Sequence, residues 1–170
     1  LARIAAEPRE LGIVRIIAPS TTVQVSGAGS SLTNWSALNS VQGELRILSN
    51  ATFPSTPQGG TLSNTGKLVL GTGGLLNLTG AFTQTGASLL RFELGGLATS
   101  QFGRIAATTQ ATIAGGVTAK FITPYVPVLN DAFSVVTAPT VTGAFTQVCV
   151  DQLIGGLGVT PSLTPGTMGL

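Results

Sequence analysis

The 170-residue chain has no histidine and a single cysteine, Cys149. Without imidazole it lacks the commonest general base and a common metal ligand, and one cysteine excludes an internal disulfide. Charge is scarce too: Asp, Glu, Lys and Arg make up 8% of the residues, against about 25% in an average domain. The net charge is +2, and Arg46, Lys67, Arg91, Arg104 and Lys120 are spread along the chain rather than clustered, so no nucleic-acid partner is expected. Aromatic residues are 5% of the chain, which leaves Leu, Val, Ile and Ala to build the core. No apolar run approaches the roughly 18 residues of a membrane-spanning helix, so membrane insertion of this segment is not expected. Asp131 and Asp151 stand apart, whereas calcium sites need clustered carboxylates. The glycine pairs lack the Gly-Lys-Ser/Thr setting of a phosphate loop. No cofactor, metal site or catalytic residue is expected, and the chain does not read as an enzyme.

What the sequence does have is glycine, threonine and alternating leucine. In 59–96 (GGTLSNTGKLVLGTGGLLNLTGAFTQTGASLLRFELGG), Leu68 and Leu70, Leu76 and Leu78, and Leu90, Phe92 and Leu94 recur at a spacing of two, which puts each set on one face of an extended chain. The intervening glycines weaken any helix by about 1 kcal/mol each and supply turns instead. Further strands are expected at Arg104 to Ala106, Ala111 to Ala114, Val117 to Phe121, Phe133 to Val136 and Phe145 to Val150, with Tyr125 in an exposed connection between Pro124 and Pro127. The tail from Leu153 to Leu170 is expected to add at most one edge strand.

Two further patterns point to stacked coils. Gly80-Ala81-Phe82-Thr83-Gln84 returns as Gly143-Ala144-Phe145-Thr146-Gln147, and Gly-Gly steps at 59, 73, 95, 115 and 155 punctuate the chain about every twenty residues, near the length of one coil of a three-sided solenoid. Glu44 and Arg46, like Arg91 and Glu93, lie two apart on one strand face. Coils stacked in neighbouring layers would line such charges into a ladder worth a few tenths of a kcal/mol per pair.

Residues 1–20 differ from the rest in holding three of the eight basic and two of the six acidic residues. Their β-branched run Ile13, Val14, Ile16 and Ile17 is read as a capping strand, or as an arm that adds its strand to a neighbouring copy. Residues 21–170 are read as one domain. Trp35, in a loop, either packs over the end of the core or offers a platform for a glycan; Tyr125 is the other candidate glycan contact. Leu1 is not a start methionine, so the chain is expected to be a mature or excised piece of something longer.

The succession GTLSNTGKLVLGTGGLLNLTGAFTQTGASLLRFELGG, then Ile113-Ala114-Gly115-Gly116-Val117, Tyr125-Val126-Pro127, Asp131-Ala132-Phe133-Ser134-Val135-Val136 and Val141-Thr142-Gly143-Ala144-Phe145, resembles the C-terminal part of bacterial autotransporter passenger domains and related surface proteins. The resemblance covers roughly residues 59–150. It implies a right-handed parallel β-helix with a looser C-terminal capping region, and an extracellular or bacterial cell-surface setting. One departure is Phe102-Gly103-Arg104, where the family pattern usually has an acidic residue. The fold expected is therefore all-β, a β-solenoid, with a β-sandwich as the alternative. The function expected is a structural module: a stalk, or the self-assembling subunit of a fibre or sheath, whose partners are copies of itself or other parts of a longer surface protein. The alternative is an adhesin that binds glycans or a host surface through its loops.

Overall fold

A computed structural model describes residues 14–32, 35–151 and 158–170. Ile13 lies outside them. The described residues form three six-stranded sheets. Sheet A contains β1 (Ile16–Ile17), β3 (Ser40–Val41), β6 (Thr61–Asn64), β9 (Ala81–Gln84), β12 (Gln110–Ile113) and β15 (Thr140–Gly143). Sheet B contains β2 (Thr22–Ser26), β4 (Glu44–Leu48), β7 (Lys67–Leu70), β10 (Leu89–Leu94), β13 (Gly116–Phe121) and β16 (Gln147–Val150). Sheet C contains β5 (Thr52–Ser55), β8 (Leu75–Leu78), β11 (Arg104–Ala107), β14 (Ser134–Thr137), β18 (Thr167–Gly169) and β17 (Ser162–Thr164), in that spatial order.

After β2 the chain visits A, B and C in unbroken rotation until β16, and every strand pairs in parallel with its counterpart one coil away. This is the topology of a three-sided β-solenoid. Among the described residues the first coil has strands on two sides; on the third, Ser36 and Leu38 carbonyls accept bonds from the Ser55 hydroxyl (3.1 and 3.0 Å). Sheet C ends differently from the others. There β18 runs antiparallel to β14, and β17 antiparallel to β18, so the tail makes a hairpin rather than the single edge strand expected from sequence.

Inside, like stacks on like. One column of sheet B runs Val23, Leu45, Leu68, Leu90, Val117, Val148; the next runs Val25, Ile47, Leu70, Phe92, Ala119, Val150. Sheet C adds Phe53, Leu76, Ile105, Val136 and Met168. The alternation of period two thus becomes one continuous apolar core, buried except at its last rung, where Val148 is 38% exposed. Two buried amides interrupt it at the corner from A to B. Asn64 and Gln84 stand in register, and Gln84 Nε2 donates to the Gly116 carbonyl at 3.0 Å, fastening one coil's corner to the next.

The two sequence echoes do not mark equivalent places. Ala81–Gln84 is a sheet A strand with Phe82 buried, whereas 143–147 turns the corner from β15 to β16 and Phe145 is only half-buried. Gly59-Gly60 sits at the corner from C to A, Gly73-Gly74 and Gly95-Gly96 at that from B to C, and Gly115-Gly116 at that from A to B. Their spacing matches a coil in length but not in phase.

Among the described residues, most charged side chains lie on the outer face of sheet B. Glu44 Oε1 accepts from Arg46 Nε at 2.9 Å and from Lys67 Nζ, one coil on, at 3.1 Å. Partial burial works to raise the Glu44 carboxyl, but those two hydrogen bonds and charges outweigh it and hold the group below its ordinary value. Arg91 is paired instead with Asp151. A depressed carboxyl stabilises the fold at neutral pH and loses that contribution as pH falls through its lowered folded value. Glu44→Gln is therefore expected to lower stability by less than about 1 kcal/mol at neutral pH, since the partners are partly exposed. Urea unfolding checks this: the difference from the parent is expected to vanish in acid, well below the ordinary carboxylate range.

Candidate functional site: a lengthening loop edge

Successive coils are not equally long. Thr22 lies beside Glu44, Glu44 beside Lys67 and Lys67 beside Leu89, so early coils take 22 or 23 residues. Leu89 lies beside Gly116 and Gly116 beside Gln147, so later ones take 27 and 31. The added residues enter almost wholly at one corner. From B to C the connections are 49–51, 71–74, 95–103 and 122–133, while the corners from A to B and C to A stay at two to five residues. A loop placed outside the ladders can grow at little energetic cost, because closure entropy rises only slowly with length.

The two longest loops are tied together by aromatic rings. Phe102 meets Phe133 edge-on with centroids 5.5 Å apart, and Tyr125 packs on Phe133 (6.0 Å) and Phe121 (6.2 Å). Tyr125 is thus half-buried, not exposed as its flanking prolines suggest, because its ring finds a place over the end of β13. Its hydroxyl donates to Asp131 Oδ2, which also accepts from the Val128 amide at 2.8 Å. The Tyr125 bond, followed by the Val128 bond, lowers the Asp131 carboxyl. Burial, and after it the bond and charge of Asp131, push the Tyr125 phenol up to about 12.

Tyr125 is the only tyrosine in the chain, so its ionisation can be read from ultraviolet absorbance without interference from another phenol. The midpoint is expected near 12 in the parent and closer to the ordinary value in Asp131→Asn. The raised phenol stabilises the fold fully below its ordinary value of 10, and the contribution is lost as pH rises through about 12.

Beyond this anchor the loop is apolar on its outer side: Val126, Val128 and Leu129 are exposed, as is Leu97 on the neighbouring loop. Phe121, Pro127, Leu129, Asn130 and Phe133 line a cavity of about 250 Å³ whose carboxylate, Asp131, is already engaged.

The residues singled out from sequence lie apart. Trp35 is half-buried against the core in the first coil, whereas Tyr125 follows β13 in the fifth. Val14 is half-buried, Ile16 is exposed and Ile17 is buried; Ile16–Ile17 pair in parallel with Ser40–Val41 of the same chain. Sequence reasoning missed the Tyr125–Asp131 link and the ring cluster, whose signal was the run of Phe102, Phe121 and Phe133 within an otherwise aromatic-poor chain. Among the described residues no group of three His, Cys, Asp or Glu side chains is placed to hold a metal ion, and no helix is long and apolar enough to cross a membrane. Comparisons with known protein families, with curated proteins and with solved structures find no match.

Proposed function

We propose that the chain is a non-catalytic structural module, a right-handed β-solenoid working as a stalk or as the repeating subunit of a surface fibre or sheath outside the cell. The observation that carries this reading is the contrast between uninterrupted ladders and one variable edge. From the second coil to the fifth, parallel hydrogen-bonded columns run on all three sides, while nearly all the length variation falls at the corner from B to C. That division of labour suits a rigid support with adjustable decoration. In this reading the β17–β18 hairpin, which breaks the parallel order, is the cap of sheet C. The outer edges of β15 and β16 have no strand paired to them among the described residues, and unpaired edges invite further strands.

Negative-stain electron microscopy of the purified chain over a range of concentrations tests the reading. Filaments or sheets are expected from a self-assembling subunit and short dispersed rods from a stalk segment; compact particles without an elongated axis would overturn both. The exposed Val126, Val128 and Leu129 on the longest loop favour a second reading, an adhesin that engages its target through these loops. Retention of a dispersed monomer on a glycan or host-surface array, lost in Leu129→Asp, would select it.

A further inference from the structure

The outer face of sheet A carries a feature unrelated to the loop edge. Ser40, Ser63, Thr83, Thr112 and Thr142 stand in one register column across five successive coils. Thr61 and Ala81 begin a parallel column, which Gln110 and Thr140 continue in register with one another. In each of these strands the residues between face inward, as Leu62, Phe82, Ala111 and Val141 do. The face of sheet A carries no Asp, Glu, Lys or Arg, although sheet B carries six. The face is neutral; its first column is hydroxyl-bearing at each of these rungs, with methyls at Thr83, Thr112 and Thr142, and the second holds hydroxyls at Thr61 and Thr140 with the buried Ala81, and Gln110, between.

These hydroxyls are available. At the neighbouring corner, threonine hydroxyls bind the coil below: Thr65 to the Val41 carbonyl, Thr85 to that of Asn64 and Thr146 to that of Gly115. Among the described residues, no hydrogen bond to protein is made by the side chains of Ser63, Thr83, Thr112 or Thr142. Rungs repeat about every 4.8 Å along the solenoid, and alternate residues about every 6.7 Å along a strand. Both repeats resemble the separations of oxygen rows in hexagonal ice. Threonine is stiff at χ1, and here it rests on a hydrogen-bonded ladder, so little freedom is lost when an ordered layer forms against it.

We propose that this face binds crystalline water, with the hydroxyls of Thr83, Thr112 and Thr142 holding surface waters at lattice positions and their methyls filling the gaps between. Its neutrality complements a hydrogen-bonded lattice that carries no net charge. The proposal is independent of whether the chain assembles into fibres.

The test uses the intact chain, grown slowly into an ice hemisphere and followed by thermal hysteresis. The parent is expected to be captured in the ice and to shape its crystals. The double variant Thr83→Lys/Thr112→Lys is expected to be excluded like an ordinary solute, while Ala106→Lys on the outer face of sheet C is expected to be captured as the parent is. If the lysine variant fails to fold by circular dichroism, Thr83→Val/Thr112→Val keeps shape and strand propensity and removes only the hydroxyls; reduced capture is again expected. Exclusion of the parent from ice, or capture of folded sheet A variants equal to that of the parent, would overturn the proposal.

Discussion

Replacing Gly66 by alanine is expected to destabilise the protein by about 3 kcal/mol, the upper range for forcing extra volume into packed structure. Gly66 closes the tight corner between β6 and β7, where successive coils lie directly on one another. A Cβ there would sit 2.2 Å from the Gly43 carbonyl oxygen and 2.4 Å from that of Gln42. Both obstacles are backbone, so no side chain can swing away. Relief means lifting one coil off the next, which stretches the bonds from the Gly66 amide to Val41 (2.9 Å) and from the Lys67 amide to Gly43 (2.8 Å). Gly43 has the same problem one coil earlier, with the Thr21 oxygen 2.3 Å from its own would-be Cβ. Gly86 supplies the control. It is exposed and nothing lies within 4 Å of its would-be Cβ, so Gly86→Ala is expected to be neutral or to stabilise by up to about 1 kcal/mol through the unfolded chain. Urea unfolding of the two variants beside the parent checks both; equal behaviour would mean that the corner is not close-packed.

Truncating Phe92 to alanine is expected to cost about 3–5 kcal/mol and to change the character of unfolding as well as its midpoint. Phe92 is fully buried in β10, with Leu70 below it and Ala119 above. The small Ala119 makes room for the ring and is too short to fill the hole left by its loss. In a stacked fold stability is close to a sum of coil energies and nearest-neighbour terms. A cavity in the fourth coil therefore weakens the coupling between the two ends. The chain holds natural reporters for each: Trp35, its only tryptophan, in the first coil, and Cys149, its only and exposed cysteine, on β16. Tryptophan fluorescence and a fluorophore on Cys149 are expected to give coincident unfolding curves in the parent and separated ones in Phe92→Ala. Coincidence in the variant would show that cooperativity does not pass through this column.

Much of the fold was legible in the spacing of leucines. Leu68 and Leu70, Leu76 and Leu78, and Leu90, Phe92 and Leu94 form β7, β8 and β10 because a strand buried on one face needs that alternation. Other strands were hidden. Pro54 disguises β5, yet β5 is the outermost strand of sheet C and can spare an amide on its open side. The strand Ala81–Gln84 ends in Gln84, a buried amide that looks like a surface residue until its bond to the Gly116 carbonyl is seen. Coil lengths that shift from 22 to 31 residues also kept Ser63, Thr83, Thr112 and Thr142 from showing as a periodic set, although they share one column. The loop site was the least readable, because Tyr125 and Asp131 meet through a turn whose shape is set by packing on Phe121 and Phe133.

The growth of the coils toward the C-terminal end bears on how the molecule would yield to force. Each coil is held by ladders to the one before it, so tension on the C-terminal end first strips the β17–β18 hairpin and then peels coils singly instead of shearing them together. The length released at each step is set by the number of residues in that coil. At about 3.4 Å per extended residue, the 31-residue coil would pay out about 105 Å and the 22- or 23-residue coils about 75 Å. A tether built this way would give way in long steps first and shorter ones later, and the order of the steps would report which end was pulled.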